Sequence, residues 1–224
     1  MSVAKEQREK LIWEFPNIGK KAPEQEEKAF AYCEGYKEFL NVAKTEREFV
    51  REAVLRLKEA GYEEFEEEKI YQPGDKVYQI NRKKALLMST FGKRPLEDGV
   101  RINVAHIDSP RLDLKPNPLY EKAEAAYFKT HYYGGIRKYQ WATIPLAMHG
   151  VVILKDGTSV DICIGEKEGD PVFCVTDLLP HLAAQQNERK LKDGIKGEEL
   201  NIIVGSLPYP CEEEDSIKEP VKLL

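Results

Sequence analysis

Long apolar runs, clustered cysteines and a basic field are all missing from this chain, and each absence closes off a class of function. No stretch approaches the roughly 18 consecutive apolar residues of a membrane-spanning helix. The opening Met1-Ser-Val-Ala-Lys-Glu-Gln-Arg-Glu-Lys10 is charged and has no apolar segment of the secretory kind. No membrane association is expected, and a cytoplasmic location is the default. Lys and Arg number 34 against 39 Asp and Glu, for a net charge of −5. Without a large positive surface, nucleic-acid binding is not expected. The four cysteines, Cys33, Cys163, Cys174 and Cys211, show no C-x-x-C spacing, which argues against a zinc ribbon and a disulfide framework alike. Cys163 and Cys174 lie in apolar runs and read as buried thiols, where sulfur behaves as a small hydrophobe. Internal repeats, heptads and low-complexity tracts are absent as well.

What is present begins with Arg101-Ile-Asn-Val-Ala-His106-Ile-Asp108-Ser-Pro110. On extended backbone, residues two apart share a side, so His106 and Asp108 can meet. A metal-binding histidine usually gives its other ring N–H to a carboxylate or carbonyl, which sets its tautomer and raises its basicity. His106 is therefore a candidate metal ligand and Asp108 its orienting carboxylate. An ordinary surface or core histidine near a strand end is the competing reading.

The 224 residues allow one large or two small domains. From Pro23, the positions Phe30, Cys33, Tyr36, Phe39 and Leu40 recur at helical spacing. Thr45-Glu-Arg-Glu48 is a capping box that opens a helix with Phe49, Val50, Ala53, Val54 and Leu57 on one face and Gly61 at its end. The acidic run Glu63 to Glu68 reads as a solvated edge. Lys76 to Ile80 and Ala85 to Thr90 read as strands around an Asn81-Arg-Lys-Lys84 turn, with Val100 to His106 as a third strand that delivers the histidine. Lys115-Pro-Asn-Pro118 resists helix and central strand and is taken as a domain boundary. Beyond it, Gly150 to Lys155 and Thr158 to Ile164 flank a two-residue hairpin signal, Asp156-Gly157. Pro171 to Val175 adds a strand. A helix capped by Asp177 or Thr176 runs to about Asp193, and Leu200 to Val204 closes the block with another strand.

Three segments carry a resemblance in this order: HIDSPRLDLKPNPLYE from His106, KTHYYGGIRKYQWATIPLAMHGVVILKDG from Lys129, and VTDLLPHLAAQQ from Val175. Together they resemble the aspartyl aminopeptidase family of zinc metallopeptidases, most closely its bacterial members. The resemblance implies an α/β fold in which part of a catalytic α/β zinc-peptidase domain, residues 1–118, is followed by an inserted β-rich oligomerisation domain, residues 119–224. It also implies a metallo-aminopeptidase, a hydrolase that removes N-terminal residues from peptide substrates. Two zinc ions per complete site and a homo-oligomer follow from the same source, with His106 as a metal ligand and Asp108 as its catalytic-site partner. A hydrolytic zinc site needs about three protein ligands, and the family's other donor motifs are not found here. Ser216-Ile-Lys-Glu219 is a second capping box with only five residues after it, so the chain is expected to be the N-terminal half of such an enzyme. A noncatalytic oligomerisation or interaction module is the alternative.

Other residues offer weaker chemistry. Asp177 and His181, four apart on the expected helix, could share a metal, although a capping role already explains Asp177. Ser109 precedes Pro110 and lies outside any G-x-S-x-G elbow. The aromatic loop His131-Tyr132-Tyr133-Gly134-Gly135-Ile136 through Trp141 suits a binding loop, a plain hairpin or a subunit contact, with subunit contact favoured. Where eukaryotic family members carry a histidine reaching a neighbouring active site, this chain has Gln185, which cannot carry a proton. His181 reads as structural.

Overall fold

The computed structural model describes residues 3–13, 17, 19 and 22–208. The chain divides into two compact units, Met1–Ile102 and Asn103–Leu224. Cys211 and the Ser216 capping box lie outside the described residues. None of the described helices is long and apolar enough to cross a membrane.

The first unit contains helices α1 (Val3–Leu11), α2 (Glu26–Val42) and α3 (Glu46–Glu59). Its three-stranded sheet has the order β1 (Glu63–Glu64), β2 (Lys76–Asn81) and β3 (Ala85–Thr90). The Thr45 capping box forms as read: the Glu48 N–H donates to Thr45 Oγ1 at 3.4 Å and the Thr45 N–H to Glu48 Oε2 at 2.9 Å. At the other end of α3, the Tyr62 N–H reaches Leu57 O and the Gly61 N–H reaches Lys58 O. This double closure satisfies carbonyls that a helix end otherwise leaves open. Phe39 and Phe49 meet edge to face at 5.0 Å, and Val50, Val77 and Tyr78 are buried. The rest of the expected α2 face is exposed at Phe30, Tyr36 and Leu40. Glu63 and Glu64 are also exposed, on an edge strand parallel to β2.

Two expectations fail near the junction. Val100 to His106 is not a strand, because no described strand pairs with it, and its apolar residues are uncovered, with Val104 90% exposed. A strand needs a ladder partner for its N–H and C=O groups, which local alternation cannot supply. Nor do the two prolines of Lys115 to Pro118 end regular structure. They lie inside strand β4 (Arg111–Lys122), where its register with β5 (Ala125–Tyr133) shifts between Leu114 and Leu119. Proline lacks a ladder donor and is tolerated at such a bulge.

The second unit is β-rich. A four-stranded sheet has the order β4, β5, β9 (Ile202–Gly205) and β8 (Cys174–Val175), and β6 (Met148–Ile153) pairs antiparallel with β7 (Ser159–Ile164). The β6–β7 connection is longer than a two-residue loop: the Gly157 N–H bonds to Leu154 O, the Leu154 N–H to Thr158 O, and Gly157 has φ +88°. This is the three-residue hairpin with a left-handed last residue. Cys163 is exposed and Cys174 half-buried, against the expected burial; β7 belongs to a two-stranded sheet, which offers little cover. The core gathers Ala142, Val175, Ile195, Leu200 and Ile202. The Thr130 hydroxyl, itself buried, donates to the Leu200 carbonyl and ties β5 to this core.

The expected helix from Asp177 to Asp193 breaks up into a 3-10 turn at Pro180–Leu182, one α-turn at Ala184–Asn187 and another 3-10 turn at Leu191–Asp193. Leu178, Leu179, Leu182 and Leu191 are all more than half exposed. Short helices depend on packing of an apolar face, which these residues do not find.

Candidate functional site

His106 and Asp108 do meet, although on backbone that belongs to no strand. His106 Nδ1 lies 2.9 Å from the Asp108 carbonyl oxygen and 3.1 Å from Asp108 Oδ1. Both partners are oxygens without a proton to give, so Nδ1 carries the hydrogen. In the neutral ring, Nε2 then holds the lone pair. The His106 side chain is 83% exposed, and Nε2 has no hydrogen-bond partner among the described residues. This is the electronic state in which imidazole binds a cation.

The other carboxylate oxygen, Oδ2, accepts the Tyr133 hydroxyl at 2.8 Å. That hydroxyl holds the Asp108 carboxyl below the ordinary aspartate range, assisted by the residue's own backbone N–H and by His106, against a smaller desolvation effect. Tyr133 ends β5 opposite Arg111, which opens β4, and the two are register partners. The Arg111 guanidinium lies 4.1 Å from the centre of the Tyr133 ring, while its Nε donates to Asp113 Oδ1 at 2.8 Å and its Nη1 to Ser109 O at 3.4 Å. Gly134 follows with φ +81°, and a Cβ there would lie 3.5 Å from Pro110. The aromatic loop is therefore tied to the His-x-Asp segment. Reading it as a hairpin or subunit contact missed Tyr133 and Arg111, because their meeting depends on the bulged β4–β5 register.

The remaining candidates stay apart. His131 stacks on Tyr132 at 5.6 Å. His149 Nε2 lies 2.9 Å from Glu166 Oε1. Asp177 Oδ1 accepts from the Leu178 N–H and from Gln186 Nε2, so it neither caps a long helix nor pairs with His181. His181 and Gln185 are exposed. Among the described residues, no group of three or more His, Cys, Asp or Glu side chains could hold a metal ion.

Comparison with known proteins identifies the family. The profile described as aminopeptidase I zinc metalloprotease (M18) matches residues 39–222. The chain belongs to the M18 peptidase family. A probable M18 family aminopeptidase 1 of Clostridium acetobutylicum is 48% identical over 217 residues, which are 95% of this chain and 46% of that protein. The crystal structure of an M18 aminopeptidase from Thermotoga maritima superposes with a TM-score of 0.83 at 42% identity, covering 95% of this chain and 45% of that one. The mApe1 dodecamer of S. cerevisiae shares the fold, at 20% identity and a TM-score of 0.58 over 81% of this chain and 39% of that one. This M18 chain spans about half the length of the relatives it matches, and its mixed helix and sheet structure follows theirs over that half.

Proposed function

We propose that this chain is the N-terminal half of a zinc aminopeptidase that removes N-terminal residues from peptides, with His106 as a zinc ligand and Asp108 as the carboxylate that orients it. The observation that carries this reading is the placement of His106 Nδ1 between two Asp108 oxygens, at 2.9 and 3.1 Å, which leaves Nε2 as the donor nitrogen. The donor chemistry fits zinc, for which neutral imidazole is a preferred ligand. Bound zinc would polarise the scissile carbonyl and lower the pKa of a coordinated water to about 7. What this chain contributes is position: Asp108 keeps the proton on Nδ1 and restrains the ring. The remaining ligands, and a second ion if the site is dinuclear as the resemblance implies, belong to polypeptide beyond these residues. The β-rich residues from about 119 onward are proposed as the inserted oligomerisation domain, and a homo-oligomer as the assembled form. The assembly of the S. cerevisiae relative as a dodecamer supports the latter.

A noncatalytic module is the second reading, favoured by the lack of a three-residue metal group among the described residues. Zinc content and hydrolysis of leucyl and aspartyl peptides should be measured on a full-length protein carrying this segment and on residues 1–224 alone. The proposal expects metal-dependent turnover from the full-length protein, lost with zinc on His106→Ala. Unchanged turnover and zinc in that variant ends the ligand assignment. Turnover by residues 1–224 alone defeats the module reading.

A further inference from the structure

We propose that Tyr133 is a positioning residue of the zinc site, fixing the plane of the Asp108 carboxylate so that Asp108 can in turn hold the His106 ring. This rests on the reading of His106 as a zinc ligand. A lone aspartate two residues from its histidine has a weakness as an orienting group: its terminal torsion is broad, so a single bond to the imidazole leaves the carboxylate free to rock. Here the two oxygens have separate partners. Oδ1 faces His106 Nδ1 at 3.1 Å, and Oδ2 takes the Tyr133 hydroxyl at 2.8 Å. With both ends held, rotation of the carboxylate breaks one bond or the other.

The phenol is itself restrained. The Arg111 guanidinium lies over its ring at 4.1 Å and is anchored by Nε to Asp113 Oδ1. A cation over an aromatic face is attracted to it, and it draws electron density from the ring, which makes the hydroxyl a stronger donor. On the far side of Tyr133 the chain turns at Gly134 and passes against Pro110, two residues after Asp108. The β4–β5 hairpin thus reaches from the β-rich sheet to the His-x-Asp segment, and the aromatic loop acquires a role within its own subunit.

The test uses the full-length zinc-loaded protein, with zinc affinity measured by chelator competition, kcat and KM measured separately, and thermal melting as a control. Tyr133→Phe removes one oxygen and keeps the ring. Outer-shell partners of metal ligands typically cost 10–100-fold in affinity or activity when removed; one step further out, Tyr133→Phe is expected to weaken zinc by about 3- to 10-fold and lower kcat with KM unchanged. The melting temperature of the metal-free form should fall by no more than about 2–4 °C, the effect of losing one exposed hydrogen bond. In an Asp108→Ala background the same substitution should have no further effect on zinc, since its only route to the metal is gone. Wild-type zinc affinity in Tyr133→Phe overturns the proposal while leaving His106 as ligand. Equal losses with and without Asp108 overturn it too, by showing a path that bypasses the carboxylate. If His106→Ala keeps its zinc, the ligand reading fails and this inference falls with it.

Discussion

The two glycines of Tyr133-Gly134-Gly135 look equivalent in sequence, and the structure predicts that they are not. Gly134 has φ +81°, whereas Gly135 is outside the left-handed region and an added Cβ there meets nothing within 4 Å. The space at Gly134 is not the obstacle either, since its nearest neighbour, Pro110, would lie at an ordinary contact distance of 3.5 Å. Gly134→Ala therefore isolates backbone strain, about 1–2 kcal/mol for an L-residue held left-handed. Both Gly→Ala changes restrict the unfolded chain, worth about 0.4–1 kcal/mol of stabilisation where the conformation is compatible. That gain cancels in the comparison. The difference between the two variants should thus be about 1–2 kcal/mol, with Gly135→Ala the more stable. For a chain of this size, 1 kcal/mol moves the midpoint by about 2–4 °C, so the two melting temperatures should differ by about 2–8 °C. Asparagine is enriched several-fold in left-handed conformation, and Gly134→Asn should recover part of the loss. Thermal and urea denaturation of the three variants checks this. Equal stability of the two alanine variants would refute the assignment of strain to position 134.

Leu200 is fully buried, with 0% exposure, in the core of the second unit. Leu200→Ala is expected to cost about 2–5 kcal/mol, because the Thr130 bond to the Leu200 carbonyl resists collapse of the cavity; urea midpoints unchanged from wild type would show that the site is not sealed. The Asp170 carboxyl accepts the Lys167 N–H at 3.1 Å and the Gly165 N–H at 3.0 Å, and these bonds hold it below the ordinary aspartate range. A depressed folded-state pKa means stability that is present above the unfolded value, about 3.9, and lost as pH falls through the lower folded one. Carboxyl NMR titration should place the Asp170 midpoint below 3.9, about the unperturbed value; a midpoint at or above it would contradict the two N–H bonds.

Local structure was the most legible part of the chain. The Thr45 box, the Gly61 stop and the strands on either side of Asn81 to Lys84 depend on contacts a few residues apart, and they formed as read. The same holds for the meeting of His106 with Asp108, which spans two residues. Where the reading failed, a distant partner decided the outcome. The helix expected from Asp177 to Asp193 found no surface on which to pack its leucines, and Val100 to His106 found no neighbouring strand.

By itself, then, the order of residues determined the Thr45 cap, the Gly61 stop, the β2–β3 hairpin, the family, and the His106–Asp108 couple, since each depends on short-range geometry or on motifs carried whole. Only the tertiary structure decided that Pro116 and Pro118 lie in a bulged strand, and that the Tyr133 hydroxyl reaches Asp108 across 25 residues of chain. The physical reason is register: the residues skipped at the bulge bring Tyr133 opposite Arg111, and no local pattern records how many are skipped.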